Sequence, residues 1–224
     1  MKQLLIPAVY PITDVRLSGL SHAEQVRQLV EAGATLIQLR EKHNPPKTFY
    51  PDAKAAIEFA HQNNAKVIVN DRVDIALALD ADGVHLGQDD LPPAEARKLL
   101  GPDRFIGFST HSIEQAKAAL RRPIDYIAIG PVFGTNTKEK PDPTVGLDVV
   151  RQIRELIGGD LPLVAIGGID HTTIASVIAS GATSAAVIGS LFADGRSIGD
   201  NYRRLSSAEL RQAVRERSVK RTRS

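Results

Sequence analysis

Residues 163–191 read LVAIGGIDHTTIASVIASGATSAAVIGSL. An apolar run, Leu163–Ile166, ends in Gly167-Gly168. A helical stretch, His171–Ser180, follows and stops at Gly181. A second apolar run, Ala185–Ile188, ends in Gly189-Ser190. Strand, helix and strand in this order form a parallel β–α–β unit, because parallel neighbours need a crossover connection. Both runs are nearly continuous in apolar residues, as strands covered on both faces must be.

The same unit recurs toward the N-terminus. Further runs stand at Ala8–Thr13, Thr35–Leu39, Lys66–Asn70, Gly83–Leu86, Phe105–Phe108 and Tyr126–Ile129. The helical stretches between them carry their own punctuation. Ser21 and Glu24 make a capping box, and Gly33 stops the helix they start. Asp52–Asn64, Val73–Leu79, Ser112–Leu120 and Gly146–Ile157 read as further helices, with apolar residues at helical spacing in the longer ones. Strict alternation of strand and helix means a parallel sheet. An open nucleotide-binding sheet would carry G-x-G-x-x-G or G-x-x-x-x-G-K-[ST], and neither occurs. The expected fold is α/β, a single (β/α)8 TIM barrel over residues 1–224, with a basic helix or tail at about 201–224.

Composition narrows the function. Of 224 residues, 42% are hydrophobic, enough for a core. The absence of Cys excludes disulfides and thiol nucleophiles. Aromatics at 4% are a poor endowment for stacking bases. No apolar run is long enough to span a membrane, and Met1–Tyr10 reads as a first strand rather than a signal peptide. A cytoplasmic protein with no membrane partner is expected. The net charge of +2 is uneven: residues 201–224 hold eight basic and two acidic residues. That segment reads as a solvated last helix; nucleic-acid binding is the alternative, and no nucleic-acid partner is expected.

In a barrel, chemistry sits at the carboxyl ends of the strands. After the second run, alternation puts Gln38, Arg40 and Lys42 on one side, where the two cations can clamp an anion or form an exposed charged turn. Asp71 follows the third run and Asp90 the fourth. They can share one corner and hold Mg²⁺, or each can cap a helix or turn. Ser109 can donate to a phosphate or cap the next helix. Residues 130–145 form the longest irregular stretch, with Thr135, Thr137 and Lys138 as donors. Gly167-Gly168 and Gly189-Ser190 offer backbone amides for a phosphate. His85 reads as a satisfied core histidine. Two anion sites facing each other suit one phosphate monoester and one diphosphate, with a metal-assisted diphosphate leaving group.

Several stretches then resemble one family: Tyr10-Pro11-Ile12-Thr13-Asp14, Gln38-Leu39-Arg40-Glu41-Lys42, Asn70-Asp71-Arg72-Val73-Asp74, the run from Asp82 to Leu91, Gly130-Pro131-Val132-Phe133-Gly134-Thr135, Thr137-Lys138 and Ile166-Gly167-Gly168-Ile169. Together they resemble thiamine-phosphate synthase. The resemblance implies a barrel transferase that joins hydroxymethylpyrimidine diphosphate to a thiazole phosphate or its carboxylated form. It implies that diphosphate leaves first and the thiazole nitrogen captures the methylene cation. It assigns Gln38, Arg40, Lys42, Asn70, Ser109 and Lys138 to the pyrimidine diphosphate. Asp71 and Asp90 fall to Mg²⁺. Thr135, Thr137, Gly168, Ile188 and Gly189 fall to the thiazole phosphate. The expected partners are these small molecules, with homo-oligomerisation left open. The competing readings are a thiazole tautomerase, which lacks the full diphosphate and metal set, and a phosphoribosyl isomerase, which wants a Cys this chain lacks. The stretch after Arg203 departs from the family pattern.

Overall fold

A computed structural model describes residues 4–135, 142–159, 161–207 and 210. In chain order the elements are β1 (Val9–Thr13), α1 (Val15–Ser18), α2 (His22–Glu31), β2 (Leu36–Leu39), α3 (Pro46–Gln62), β3 (Lys66–Asn70), α4 (Val73–Ala78), β4 (Gly83–Leu86), α5 (Pro93–Leu100) and β5 (Phe105–Thr110). They continue with α6 (Ile113–Ala119), β6 (Tyr126–Ile129), α7 (Gly146–Ile157), β7 (Leu163–Ile166), α8 (Ile174–Ala179), β8 (Ser184–Val187), a 3₁₀ turn (Gly189–Leu191) and α9 (Ile198–Leu205). All eight strands are parallel, each paired with the next. The pairs Val9↔Ala185, Tyr10↔Ala186 and Pro11↔Val187 join β1 to β8 and close the barrel. This is the expected (β/α)8 architecture.

Alternation along each strand sorts the side chains into two cores. The inner core, inside the barrel, contains Tyr10, Ile12, Leu36, Ile68, Phe105, Tyr126, Val164 and Ala186. The outer core lies between strands and helices and contains Ile37, Leu39, Val67, Val69, Val84, Leu86, Ile127 and Ile129 with the buried faces of α2, α3 and α7. Those inner residues plug the barrel, so a ligand can enter only from the end where the plug stops.

Local chemistry starts the helices. Ser21 Oγ accepts from the Glu24 N–H at 3.1 Å, the expected cap of α2. The Asp52 carboxylate, from α3, adds bonds from the N–H groups of His22 (2.7 Å) and Ala23 (2.9 Å). Helix α3 starts at Pro46, six residues before the expected Asp52. Pro46 occupies the first turn, where a missing N–H costs nothing, and Phe49 is buried against the barrel. Pro46, Lys47 and Thr48 are exposed, so Phe49 alone anchors this first turn, and the helix runs on through Pro51 despite its ring.

The C-terminal segment also differs from expectation. Residues 201–205 are helical, as expected, but the helix is not solvated all round. They belong to α9, whose Ile198, Asn201, Tyr202 and Leu205 are buried, and α9 packs against α2. Residues 208, 209 and 211–224 lie outside the described residues. Among the described residues, no helix is long and apolar enough to cross a membrane.

Candidate active site

The inner plug stops short of the carboxyl ends of the strands. A cavity of about 1500 Å³ opens there, lined by residues of all eight strand ends or the loops that follow them. That volume exceeds the few hundred to about 1,000 Å³ of a single-ligand pocket, so two substrates can sit side by side. Of the residues named from sequence, Gln38, Arg40, Lys42, Asn70, Asp71, Asp90, Ser109, Thr135, Gly168, Ile188 and Gly189 all line it. Thr137 and Lys138 lie outside the described residues.

The corner formed by β2, β3 and β4 is built from charged side chains. Gln38 points inward from β2 and is buried. Two residues on, Arg40 leans toward β1 and pairs with Asp14 at 2.5 Å. Two further on, Lys42 leans toward β3 and pairs with Asp71. The shared side that alternation predicts is therefore split between two carboxylates. Asp14 holds a second job: its other oxygen accepts from the Leu17 N–H and caps α1.

Asp71 follows β3 directly and takes a left-handed backbone, φ 61°, which Asp tolerates better than most residues. It does not cap α4: the capping position is Arg72, with no side-chain bond. Its carboxyl faces Asp90 as well as Lys42. Burial raises the Asp71 pKa; Lys42 opposes this, and Asp90, hydrogen-bonded beside it, adds to it. Asp90 Oδ2 accepts from the Gly87 N–H at 2.7 Å, folding back on its own turn. Two adjacent carboxylates fit a hard divalent cation that completes its shell with water and phosphate oxygens. The described residues contain no cluster of three or more His, Cys, Asp or Glu arranged to hold a metal. A closed, all-protein cage is not what this corner offers.

Ser109 is not a helix cap. Ser112 caps α6, accepting from the Gln115 N–H at 3.2 Å. Ser109 Oγ instead bonds His85 Nε2 at 2.8 Å. His85 is satisfied, as expected of a core histidine, but it also lines the cavity. Burial lowers its pKa to about 4, so the ring is neutral. Asn70 is buried beside it, and its Nδ2 finds no partner among the described residues.

Across the cavity, the corner formed by β7 and β8 is built from backbone. Gly168 has φ 63°, and a Cβ there would lie 2.4 Å from the Gly134 oxygen. Only glycine fits, because the loop after β6 is laced onto the end of β7. Val132 N–H donates to the Ile166 carbonyl at 2.8 Å, and Phe133 N–H to the Gly167 carbonyl at 3.0 Å. After β8 the chain turns through Gly189–Leu191, and Ser190 Oγ is buried without a partner among the described residues. The Asn201 amide of α9 holds this turn, donating to the carbonyls of Leu191 (3.1 Å) and Ala193 (2.8 Å).

Sequence reading missed Asp14, Tyr10, Tyr126 and Asn201 as parts of this site. Asp14 directly follows β1, the same signal that found Asp71 after β3. Tyr10 and Tyr126 act through residues distant in sequence, and Asn201 acts on a turn eight to ten residues before it.

Comparison with known proteins agrees with the geometry. The profile described as thiamine monophosphate synthase matches residues 9–191. A thiamine-phosphate synthase of Chloroflexus aurantiacus is 41% identical over 186 residues, covering 83% of this chain and 85% of its own. One of Chlorobium phaeovibrioides is 46% identical over 182 residues, covering 81% and 85%. A solved thiamine phosphate pyrophosphorylase of Pyrococcus furiosus superposes with a TM-score of 0.78 at 36% identity, covering 93% and 95%. With this extent and identity, the chain belongs to the thiamine monophosphate synthase family.

Proposed function

We propose that the chain is a thiamine-phosphate synthase. It couples 4-amino-2-methyl-5-hydroxymethylpyrimidine diphosphate to thiazole phosphate, or to its carboxylated form with loss of CO2, and releases diphosphate. The observation that carries this reading is one cavity with a charged corner facing a glycine corner.

In this reading Gln38 and Asn70 hold the pyrimidine, and the Asn70 Nδ2, without a partner among the described residues, donates a hydrogen bond to it. Lys42, the outer N–H groups of Arg40 and the Ser109 hydroxyl hold the diphosphate. Asp71 and Asp90 hold Mg²⁺, which when bound neutralises charge on the diphosphate oxygens. As the carbon–oxygen bond to the diphosphate breaks, negative charge grows on the leaving group. Donors already fixed around it stabilise that charge without reorganising. Thr135, Gly168, Ile188 and Gly189 hold the thiazole phosphate so that its ring nitrogen faces the methylene carbon. The nitrogen lone pair forms the new bond, so no protein base is needed. The resemblance adds Thr137 and Lys138 to the two anion sites. A cytoplasmic location for the whole 1–224 domain fits this chemistry.

The test mixes purified protein, Mg²⁺, the pyrimidine diphosphate and thiazole phosphate, and detects thiamine phosphate as its fluorescent oxidation product, with an EDTA control. Metal-dependent product is expected. Folded protein that binds thiazole phosphate but forms no product would turn the reading to a tautomerase.

A further inference from the structure

A line of polar side chains crosses the buried interior beneath the cavity. Gln38 Nε2 donates to the Tyr10 hydroxyl at 3.2 Å. The Tyr10 and Tyr126 hydroxyls lie 3.3 Å apart. The Tyr126 hydroxyl lies 3.0 Å from His85 Nδ1. His85 Nε2 lies 2.8 Å from Ser109 Oγ. Five strands contribute one residue each, and the line ends at Ser109, whose hydroxyl stands at the cavity.

Sheet register makes the central bond. His85, Gly107 and Tyr126 stand opposite one another in a row across β4, β5 and β6. Strands lie about 4.8 Å apart, so residues two strands away meet only if the one between has no side chain. A Cβ on Gly107 would lie 2.0 Å from the Tyr126 ring and 2.5 Å from His85 Nδ1. The glycine is the space that the tyrosine–histidine bond occupies.

Such a line has two consistent directions. Each phenol has one proton to give, and a neutral imidazole has one N–H and one lone pair. Gln38 donates at its end, so Tyr10 gives its proton to Tyr126 and Tyr126 gives its proton to His85 Nδ1. His85 then carries its proton on Nε2 and donates to Ser109 Oγ. The Ser109 proton is left over, facing the cavity. In the opposite direction Ser109 would spend its proton on His85 and present only lone pairs, which repel an anion. We propose that Tyr10 and Tyr126 are positioning residues that hold His85 as the Nε2–H tautomer and thereby aim the Ser109 proton at a diphosphate. This rests on the reading that the Ser109 side of the cavity takes the diphosphate.

The test uses the full chain labelled with ¹⁵N at histidine, whose ring nitrogens report the tautomer by long-range proton–nitrogen NMR; His85→Gln assigns the signals. His85 is expected protonated at Nε2. In Tyr126→Phe, which keeps the ring and removes the hydroxyl, His85 becomes a tautomer mixture. Affinity for inorganic diphosphate with Mg²⁺ then falls about tenfold, while affinity for thiazole phosphate is unchanged. If Tyr126→Phe does not fold, Tyr10→Phe breaks the line one bond earlier and is read the same way. An Nδ1–H tautomer in the wild type overturns the proposal, as does unchanged diphosphate affinity in the variant. Both readouts work on protein that makes no thiamine phosphate, so failure of the functional reading is seen separately.

Discussion

The two corners of the cavity recognise anions by different means. The corner of β2, β3 and β4 uses side chains: Arg40 and Lys42 after β2, Asp71 after β3 and Asp90 after β4. The corner of β7 and β8 uses backbone: the turns at Gly167-Gly168 and Gly189–Leu191, with side chains elsewhere holding them in place. The first corner fails when an atom is removed. The second fails when an atom is added. Charged side chains suit a site whose charge changes during reaction. A fixed amide cradle suits a phosphate that is only held.

Removal at the charged corner should have the largest effect. Asp71→Ala or Asp90→Ala is expected to lower turnover about 10³-fold with the far-ultraviolet circular dichroism intact. Near-normal rates at saturating Mg²⁺ in both variants would show that the carboxylates are structural.

Addition at the glycine corner comes next. Gly168→Ala forces a Cβ against the Gly134 oxygen at a left-handed backbone position. KM for thiazole phosphate should rise about tenfold or more, with KM for the pyrimidine diphosphate little changed. An equal rise in both constants would mean that the corners are not independent.

The support of that corner is tested one step out. Asn201→Ala leaves the carbonyls of Leu191 and Ala193 without their donor. A loss of about 1–3 kcal/mol in denaturant stability is expected, with a smaller rise in KM for thiazole phosphate. Unchanged stability would remove α9 from the cradle.

The smallest effect concerns pH at the root of the charged corner. Burial would raise the Glu41 pKa, but the N–H groups of Asn44 and His43 outweigh it and lower the value to about 2. A depressed folded value gives stability that is present above the ordinary glutamate pKa and lost as pH falls from there toward 2. Glu41→Gln should therefore lower stability at neutral pH and flatten its decline in acid. Parallel curves for variant and wild type would contradict this.

The alternation of residue types carried the fold. All eight runs coincide with strands to within two residues, because buried parallel strands leave unbroken apolar runs. The exception in length is β5, which runs on through Ser109 and Thr110, where the run turns polar to face the cavity. Site residues were legible where they directly follow a strand, as Asp71 and Lys42 do. What stayed hidden needs register. Nothing near Tyr126 or His85 in sequence says that Gly107 stands between them. Nor does the composition of residues 198–205 say that Asn201 turns inward while Arg203 and Arg204 pair with acids outside.

The joining of β1 to β8 has a consequence for how the chain is made. Val9 leaves the ribosome well before its partner Ala185, which follows it by 176 residues. At the usual ~5–20 residues per second, the outer edge of β1 waits roughly 10–35 s for its partner. Throughout that interval the nascent sheet has an open edge and an unsealed apolar interior, the features that invite mispairing. Asn201 of α9 comes later still. A chain stalled or cleaved before β8 would be a template for aggregation, not a weaker enzyme.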